Sequence, residues 1–471
     1  MGFSSVEIEL LTPIFDKKYK NLPFRCYGWA MDLLRFSVSN FRSISEDQTI
    51  HFTSTKKETP LPVVALFGAN ASGKSNVIDA LGFALSAIKL SATEWQSSKS
   101  GRPKPHYPFK LSEEWRNQPS SFEFEFIHNE TRYIYGFSYS FDGIHSEWLS
   151  RKIARWTSCL DRERSGGETY FNPSVFPAED SKFLTKFNDS ELFISAAIKH
   201  NIGTLGEIGS VLLDSIVLLP LGEMYRDRRI SQFIQLVRNN KFRIHDLALM
   251  LQAADTGIVD VRIEEEELPE EALKHLKSLI KFIGRTLNSE DAEVDRPNLE
   301  SLEDEMIERI AYVLRFVHWG ENGETFTLEM EEESTGTLLW LSLAPVLLDV
   351  LRNGKILVVD ELDSSLHSAI VSMVVECFSD PTINTAGAQL FFSSHNTNIL
   401  EQRRDLGLTE DSYWFVSKNY SGASEYRCLS RYPNQLKANY EKRYLDGNYG
   451  AVPYPSPSTI RGLVSGEKQA I

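Results

Sequence analysis

Three short stretches of the sequence hold side chains whose types and spacing suit work on a polyphosphate. Gly68-Ala69-Asn70-Ala71-Ser72-Gly73-Lys74-Ser75 has the spacing of a phosphate-binding loop. Its glycines let the backbone curl so that successive N–H groups face one phosphate, and a helix start adds partial positive charge. Lys74 would reach the β- and γ-phosphates, and the Ser75 hydroxyl would ligate Mg²⁺. Asp360 is placed to hold Mg²⁺ directly or through water, and Glu361 to polarise an attacking water as a general base. His395 can hydrogen-bond a γ-phosphate. Each feature alone has a bland reading: a chance turn, a strand-end cap, a packed histidine. In the order loop, Asp-Glu, His, they point together to a nucleoside triphosphate and its hydrolysis.

The flanks place these residues where that chemistry needs them. Val63 to Phe67 is a short apolar run that predicts a buried strand before the loop. Val77, Ile78, Leu81, Leu85 and Ile88 recur at helical spacing after it. Ile356-Leu357-Val358-Val359 predicts a buried strand that delivers the two carboxylates at its C-terminal end, and Gln389 to Ser394 a second strand that ends on His395. Leu34, Phe36 and Val38 alternate with polar residues in a half-buried strand over 31–44. Phe122, Phe124 and Phe126, then Tyr133, Tyr135, Phe137 and Tyr139, predict an antiparallel hairpin around His128-Asn129-Glu130, its aromatic stripe a core rather than a stacking platform. Trp148 to Trp156 adds a third strand. Residues 92–120 read as a surface loop and 182–255 as mainly helical, with Arg226, Arg228 and Arg229 a short basic cluster that reads as a solvated face, a phosphate contact being the minority reading. Val259 to Ile263 and Glu324 to Met330 read as strands, 269–287 and 301–317 as amphipathic helices, and Leu338–Leu351 as an apolar helix. Residues 412–430 predict two strands, 434–445 a basic helix, and the segment after Gly450 a turn and a loose end. No long heptad array predicts coiled-coil arms.

Composition narrows the class. Of 471 residues, 50 are Lys or Arg and 65 Asp or Glu, a net charge of −15 that argues against a broad electrostatic grip on nucleic acid, though a local basic groove stays open. The four cysteines, Cys26, Cys159, Cys377 and Cys428, form no C-x-x-C pair, so neither zinc nor a disulfide framework is expected. That usage suits a reducing cytoplasm, and neither a signal peptide nor a bilayer-spanning run is predicted.

The order of the motifs resembles the ATP-binding-cassette class of ATPases, in the soluble branch with RecF-type and SMC-type proteins. Asn40-Phe41-Arg42-Ser43-Ile44 resembles that branch's opening strand, Ser334-Thr335-Gly336-Thr337 a shortened signature motif, and Asp363-Ser364-Ser365-Leu366-His367 the loop after its Asp-Glu pair. Within the branch, the chain is similar to AAA-type ATPases of bacterial defence systems such as RloA and AbiL, and to the ATPase half of OLD nucleases. Tyr440 to Pro453 is similar to the ending of the RloA and AbiL type. The signature lacks the fuller Leu-Ser-Gly-Gly form, and no glutamine is assigned to the loop that completes the metal shell. The resemblance implies an α/β, ABC-type P-loop ATPase with a mixed sheet, an antiparallel β subdomain and a helical insertion. Residues 1–30 would be an extension or an upstream misreading before Met31. Residues 31–160 would form one ATPase lobe, 161–320 the insertion, 321–453 the second lobe, and 454–471 a tail. Arg42, Ser334 and Gly336 would join the nucleotide contacts.

The family further implies two protomers that sandwich two ATP molecules, Lys74 of one facing Ser334 and Gly336 of the other, or a higher oligomer. The function expected is an ATP-hydrolysing switch, the ATPase subunit of an antiphage or DNA-maintenance system acting with a separate effector such as a nuclease, with nucleic acid a further partner and no membrane. The alternatives are a RecF-like repair protein acting directly on DNA and an OLD-like nuclease. The last is disfavoured, because too few residues follow His395 for an added nuclease domain.

Overall fold

The computed structural model describes residues 31–93, 95, 106–164, 169–187, 189–267, 310–433, 439–453 and 456–465. The expectations for residues 1–30 and for a helix over 269–287 lie outside the described residues. The described chain falls into two compact units, one made of residues up to Leu221 and from Val346 onward, the other of Gly222–Pro345.

In chain order the first unit begins with β1 (Met31–Ser39), β2 (Gln48–His51), β3 (Val63–Gly68), α1 (Lys74–Leu90) and the short α2 (Glu113–Arg116). Then come β4 (Ser120–His128), β5 (Thr131–Ser140), β6 (Gly143–Lys152), β7 (Trp156–Glu163) and β8 (Tyr170–Phe171). Helices α3 (Ala178–Leu184), α4 (Phe193–His200) and α5 (Gly203–Ser215) lead into β9 (Ile216–Leu219). The second unit holds α6 (Glu223–Arg238), α7 (Ile244–Ala253), β10 (Ile258–Glu267), β11 (Ile310–Trp319), β12 (Thr325–Leu328) and the start of α8 (Thr335–Asn353). The chain then returns to the first unit through β13 (Ile356–Val359), α9 (Ser368–Ser379), β14 (Gln389–Ser393), α10 (Asn398–Glu401), β15 (Tyr413–Lys418), β16 (Ser424–Cys428), α11 (Tyr440–Leu445) and α12 (Pro457–Ser465).

Two sheets organise the first unit. The sheet that carries the chemistry runs in the order β16-β15-β3-β14-β13-β9. Its strands β3, β13 and β14 are short apolar runs buried on both faces, the pattern of a parallel sheet covered on both sides. All neighbours pair in parallel except β16, which is antiparallel to β15. The second sheet is antiparallel, in the order β2-β1-β4-β5-β6-β7-β8. Its aromatic stripe is core, as the alternation predicts: Phe122, Phe124, Phe126, Tyr135, Phe137 and Tyr139 are fully buried. Asn129 and Glu130 turn the β4–β5 hairpin with positive φ at both positions, the geometry of a two-residue type I′ turn. Helix α1 joins the sheets. Its Leu81, Leu85 and Ile88 share one core with Leu66 of β3, Phe36 of β1 and Phe122 of β4. This is the mixed α/β fold with an antiparallel β subdomain that the sequence implies.

The second unit is a three-stranded antiparallel sheet, β10-β11-β12, with α6 and α7. Ile230 and Phe233 of α6, Leu247 and Leu251 of α7, and Leu314 and Phe316 of β11 are buried. Trp340 Nε1 donates to the Met250 carbonyl at 2.9 Å and ties the start of α8 to α7.

Several expectations need correction. Residues 310–317 are strand, not helix: Ile310, Val313, Leu314 and Val317 fall at helical spacing, but β10 supplies an antiparallel partner along the whole segment and the ladder wins. The segment after Gly450 is not simply loose, since Pro457–Ser465 is helical. The first strand stops at Ser39, and residues 40–44 are a tight turn with positive φ at Asn40 and Arg42. Arg226 and Arg229 do not form a simply solvated face, because Arg226 pairs with Asp227 at 2.8 Å and Arg229 donates to Ser342 Oγ at 3.1 Å. Thr335–Asn353 is long and apolar enough to span a bilayer by length and composition, but 61% of that stretch is buried inside the protein, as in the core helix of a globular chain.

Candidate functional site

The sheet order explains why the three motifs meet. β14 lies between β3 and β13, and all three run in parallel, Leu66 beside Ser393 and Val359 beside Phe392. Their C-terminal ends therefore open on one edge, the crevice where open α/β sheets hold ligands. The loop leaves β3, Asp360 and Glu361 leave β13, and His395 leaves β14.

Residues 68–73 make the turn from strand to helix. Ala71 and Gly73 take φ of 63° and 115°. Gly73 admits no side chain, because a Cβ there would collide with Ser424 Oγ, and one on Gly68 would collide with the Val416 carbonyl of β15. Gly68 lets backbone approach backbone closely, and Gly73 makes room for the Ser424 side chain. Ala69, Asn70 and Ala71 form the crest, and Asn70 and Ala71 are exposed. Ser72 is buried, with an N–H that donates to the Ala69 carbonyl at 3.1 Å. Lys74 opens α1 and is buried, its Nζ donating to the carbonyls of Gly68 at 2.8 Å and Ala69 at 3.3 Å. Burial holds its ammonium below the usual lysine range, and the charges of Asp360, Glu361 and Asp363 pull it back up. The β3-β14-β13 register puts the loop and the Asp-Glu strand end at the same edge of the sheet. Ser75 follows, half-buried on the first turn of α1.

Across the edge, Ser393 Oγ donates to Asp360 Oδ1 at 2.5 Å and accepts the Glu361 N–H at 2.8 Å. One hydroxyl on β14 thus orients both residues of the Asp-Glu pair. Glu361 is exposed, with φ of 53°. The Asp363 carboxylate accepts the His395 N–H at 3.1 Å, so the loop after β13 and the end of β14 are fastened together. The His395 side chain stands exposed at that junction. Sequence reasoning gave no role to Ser393. Its place at the end of a strand due to neighbour the Asp-Glu strand is the only signal for it.

Arg42 lies beside the loop rather than in it. Its guanidinium pairs with Asp79 of α1 and sits 5.6 Å from the ring centres of Phe41 and Tyr107. It borders an open cleft of about 320 Å³ that Ser43, Tyr107, Lys110 and Lys418 also line. Ser334 and Gly336 belong to the second unit. Ser334 is exposed and caps α8: its Oγ accepts the Thr337 N–H at 3.0 Å, and its carbonyl accepts the Leu338 N–H at 3.0 Å. Gln96 lies outside the described residues, and the Gln118 carbonyl accepts from Asn40 Nδ2 at 2.7 Å.

The donor set suits Mg²⁺ and a triphosphate. Ser75 and Asp360 offer hard oxygens, and Mg²⁺ keeps waters and phosphate oxygens in such sites instead of an all-protein cage. Among the described residues no group of three or more His, Cys, Asp or Glu converges as a metal cage.

Solved structures similar in outline include the SmcHead bound to the C-winged helix domain of ScpA, at 15% identity, TM-score 0.36, covering 84% of this chain and 97% of that one. The recombination mediator protein RecF-ATP of the RecFOR pathway is similar at 15% identity, TM-score 0.33, covering 86% of this chain and 100% of that one. An Smc head domain with a coiled coil and joint derived from Pyrococcus yayanosii is similar at 13% identity, TM-score 0.36, covering 89% of this chain and 100% of that one. No curated protein matches the chain. The profile of the family described as "AAA domain, putative AbiEii toxin, Type IV TA system" matches residues 63–201 and 226–401, more than half of the sequence and all three motifs. The chain belongs to this AAA-domain family of P-loop ATPases.

Proposed function

We propose that the protein binds and hydrolyses ATP with Mg²⁺ and uses the cycle as a switch. The observation that carries this reading is the parallel β3-β14-β13 register, which brings the buried Lys74 after β3 and the Asp360-Glu361 pair after β13 to one edge of the sheet. In it, Gly68 to Ser75 wrap the phosphates, and Lys74 exchanges its loop carbonyls for β- and γ-phosphate oxygens. Ser75 and Asp360 hold Mg²⁺, which neutralises phosphate charge when bound. Glu361 accepts a proton from the attacking water, and His395 meets the γ-phosphate. The cleft beside Arg42 suits the remainder of the nucleotide, with a tyrosine ring for a base and lysines for phosphate or ribose oxygens.

The switch would work in a defence or DNA-maintenance system with a separate effector such as a nuclease. The toxin–antitoxin setting in the family's description supports the defence side of that reading. ATP would act by making contacts in one state that the other lacks. Calorimetry tests the core claim. The parent should bind ATP in the presence of Mg²⁺, and Lys74→Ala should bind it at least tenfold more weakly, as expected for loss of a hydrogen-bonded charge. Equal affinity in the two proteins would remove the assignment.

A further inference from the structure

The phosphate loop is gripped from behind by a strand about 350 residues further along the chain. Ser424 Oγ donates to the Ser72 carbonyl at 2.6 Å. Tyr426 Oη donates to the Gly73 carbonyl, also at 2.6 Å. Both side chains come from β16 and point to the same face, two residues apart. Their acceptors belong to successive peptide groups.

That succession has a mechanical consequence. A trans peptide is planar, and its C=O and N–H point in opposite directions. The Ser72 carbonyl shares its plane with the Gly73 N–H, and the Gly73 carbonyl shares its plane with the Lys74 N–H. Holding both oxygens toward β16 turns both N–H groups away from it, toward the side on which a loop of this kind receives an anion. Gly73 at φ 115° is the residue that lets consecutive planes adopt this arrangement, and Ser424 occupies the space its side chain would need.

The grip is itself held in place. Ser424 N–H donates to the Ser43 carbonyl at 2.7 Å. The hydroxyls of Ser43 and Ser424 lie 2.6 Å apart, and Asn76 Nδ2 donates to Ser43 Oγ. Since the Ser424 proton is committed to Ser72, Ser43 must donate to Ser424. The chain of donors therefore runs one way, from Asn76 through Ser43 and Ser424 to the loop. Tyr426 is buried, and burial pushes its hydroxyl well above the usual tyrosine range, so it stays a donor at any working pH.

We propose that Ser424 and Tyr426 are positioning residues for the nucleotide. They preset the Gly73 and Lys74 N–H groups toward the phosphates without touching the ligand. The proposal rests on reading residues 68–75 as a nucleotide site, and deepens that reading.

Tyr426→Phe is the test, because it removes one hydroxyl and keeps the buried ring. The Gly73 carbonyl still accepts the Asn76 N–H at 3.0 Å, so the change leaves no orphaned acceptor. The KM for ATP and the calorimetric Kd for ATP should both rise roughly three- to tenfold, the worth of one neutral hydrogen bond. The kcat at saturating ATP should stay within about twofold, since Asp360, Glu361 and Ser393 are untouched. Assays run well below the variant's own melting temperature, so the population is folded. A merely structural hydroxyl would lower the melting temperature and leave KM and Kd at the parent values; that result overturns the proposal. Should Tyr426→Phe fail to fold, Ser424→Ala is judged by the same criterion. Parent protein and Lys74→Ala are measured alongside. A parent that does not bind ATP sinks the nucleotide reading and this proposal with it. A parent that binds, with Tyr426→Phe equal to it, sinks this proposal alone.

Discussion

Glu361 stands at a non-glycine φ of 53°, with its N–H fixed by Ser393 and its carbonyl accepting the Ser364 N–H at 2.8 Å. A residue in the left-handed region costs of order 1 kcal/mol or more, and such strain clusters where a side chain must be aimed. The backbone bonds do not involve the carboxylate, so Glu361→Gln should fold like the parent. Lys74, Ser75 and Asp360 remain, so ATP should still bind. Loss of the proton acceptor should slow turnover about 10²–10⁴-fold, the usual range for a general base. Single-turnover hydrolysis with calorimetric confirmation of binding reads both halves; hydrolysis at the parent rate would place the base elsewhere. The loop and the Asp-Glu pair were legible because a phosphate site built from backbone is written in contiguous residues. Ser393 and the Ser424–Tyr426 grip were not, since a serine or tyrosine near a strand end has no pattern of its own and its acceptors lie far away in the chain.

The elements were legible to the extent that their periodicity was decisive. β3, β13 and β14 are apolar runs ending in functional residues, and α1 repeats apolar residues at helical spacing. Ile216-Val217-Leu218-Leu219 is equally apolar, but it follows directly on a helix, and four such residues continue a buried helix as well as they form a strand. What makes it β9 is pairing with Ile356 to Val359, a tertiary fact. Of the helices before it, α4 has its N-terminus bound to the antiparallel sheet through a carboxylate. Glu147 on β6 is fully buried and accepts the N–H groups of Phe193 at 2.7 Å and Ile194 at 3.0 Å, the first two residues of α4. It also takes the Tyr135 hydroxyl at 3.1 Å and faces Arg162 at 3.5 Å. Burial pushes its carboxyl up, and Arg162 and the two N–H groups draw it back down. Glu147→Ala takes the acceptor from a buried phenol and two helix-end donors at once, while Arg162 keeps Asp189 at 3.2 Å and the Glu191 carbonyl at 2.8 Å. The substitution should lower unfolding free energy by about 2–5 kcal/mol, since each buried donor left without an acceptor costs about 1–3 kcal/mol. Urea unfolding of the parent and Glu147→Ala reads this; a Glu147→Ala curve that overlays the parent's would mean the carboxylate does not anchor α4.

At the scale of the whole molecule, the proposed switch requires two copies to complete each other's sites. The motif expected to face a partner's nucleotide, Ser334 to Thr337, forms the exposed start of the 19-residue helix α8. A helix N-terminus capped by a serine presents partial positive charge and unspent N–H groups, which suit a phosphate brought to it. Lys74→Ala should remove a protomer's hold on its own phosphates and leave its Ser334 end intact. Ser334→Arg should do the reverse, filling the helix start with a long cation at a stability cost of about 0.5–2 kcal/mol for the lost cap. Each variant alone should be inactive. In a mixed dimer, one site combines both defects and the other combines neither. With equal amounts and random pairing into two-fold dimers, up to roughly a quarter of the parent's hydrolysis should return. The recovered rate should peak at equal amounts and rise steeply with total protein concentration, as a bimolecular assembly does. Steady-state hydrolysis across mixing ratios, alongside light scattering with and without ATP, measures both. If the variants are folded and associate yet no ratio restores turnover, each protomer completes its own site, and the idea of a switch closed by a second copy fails.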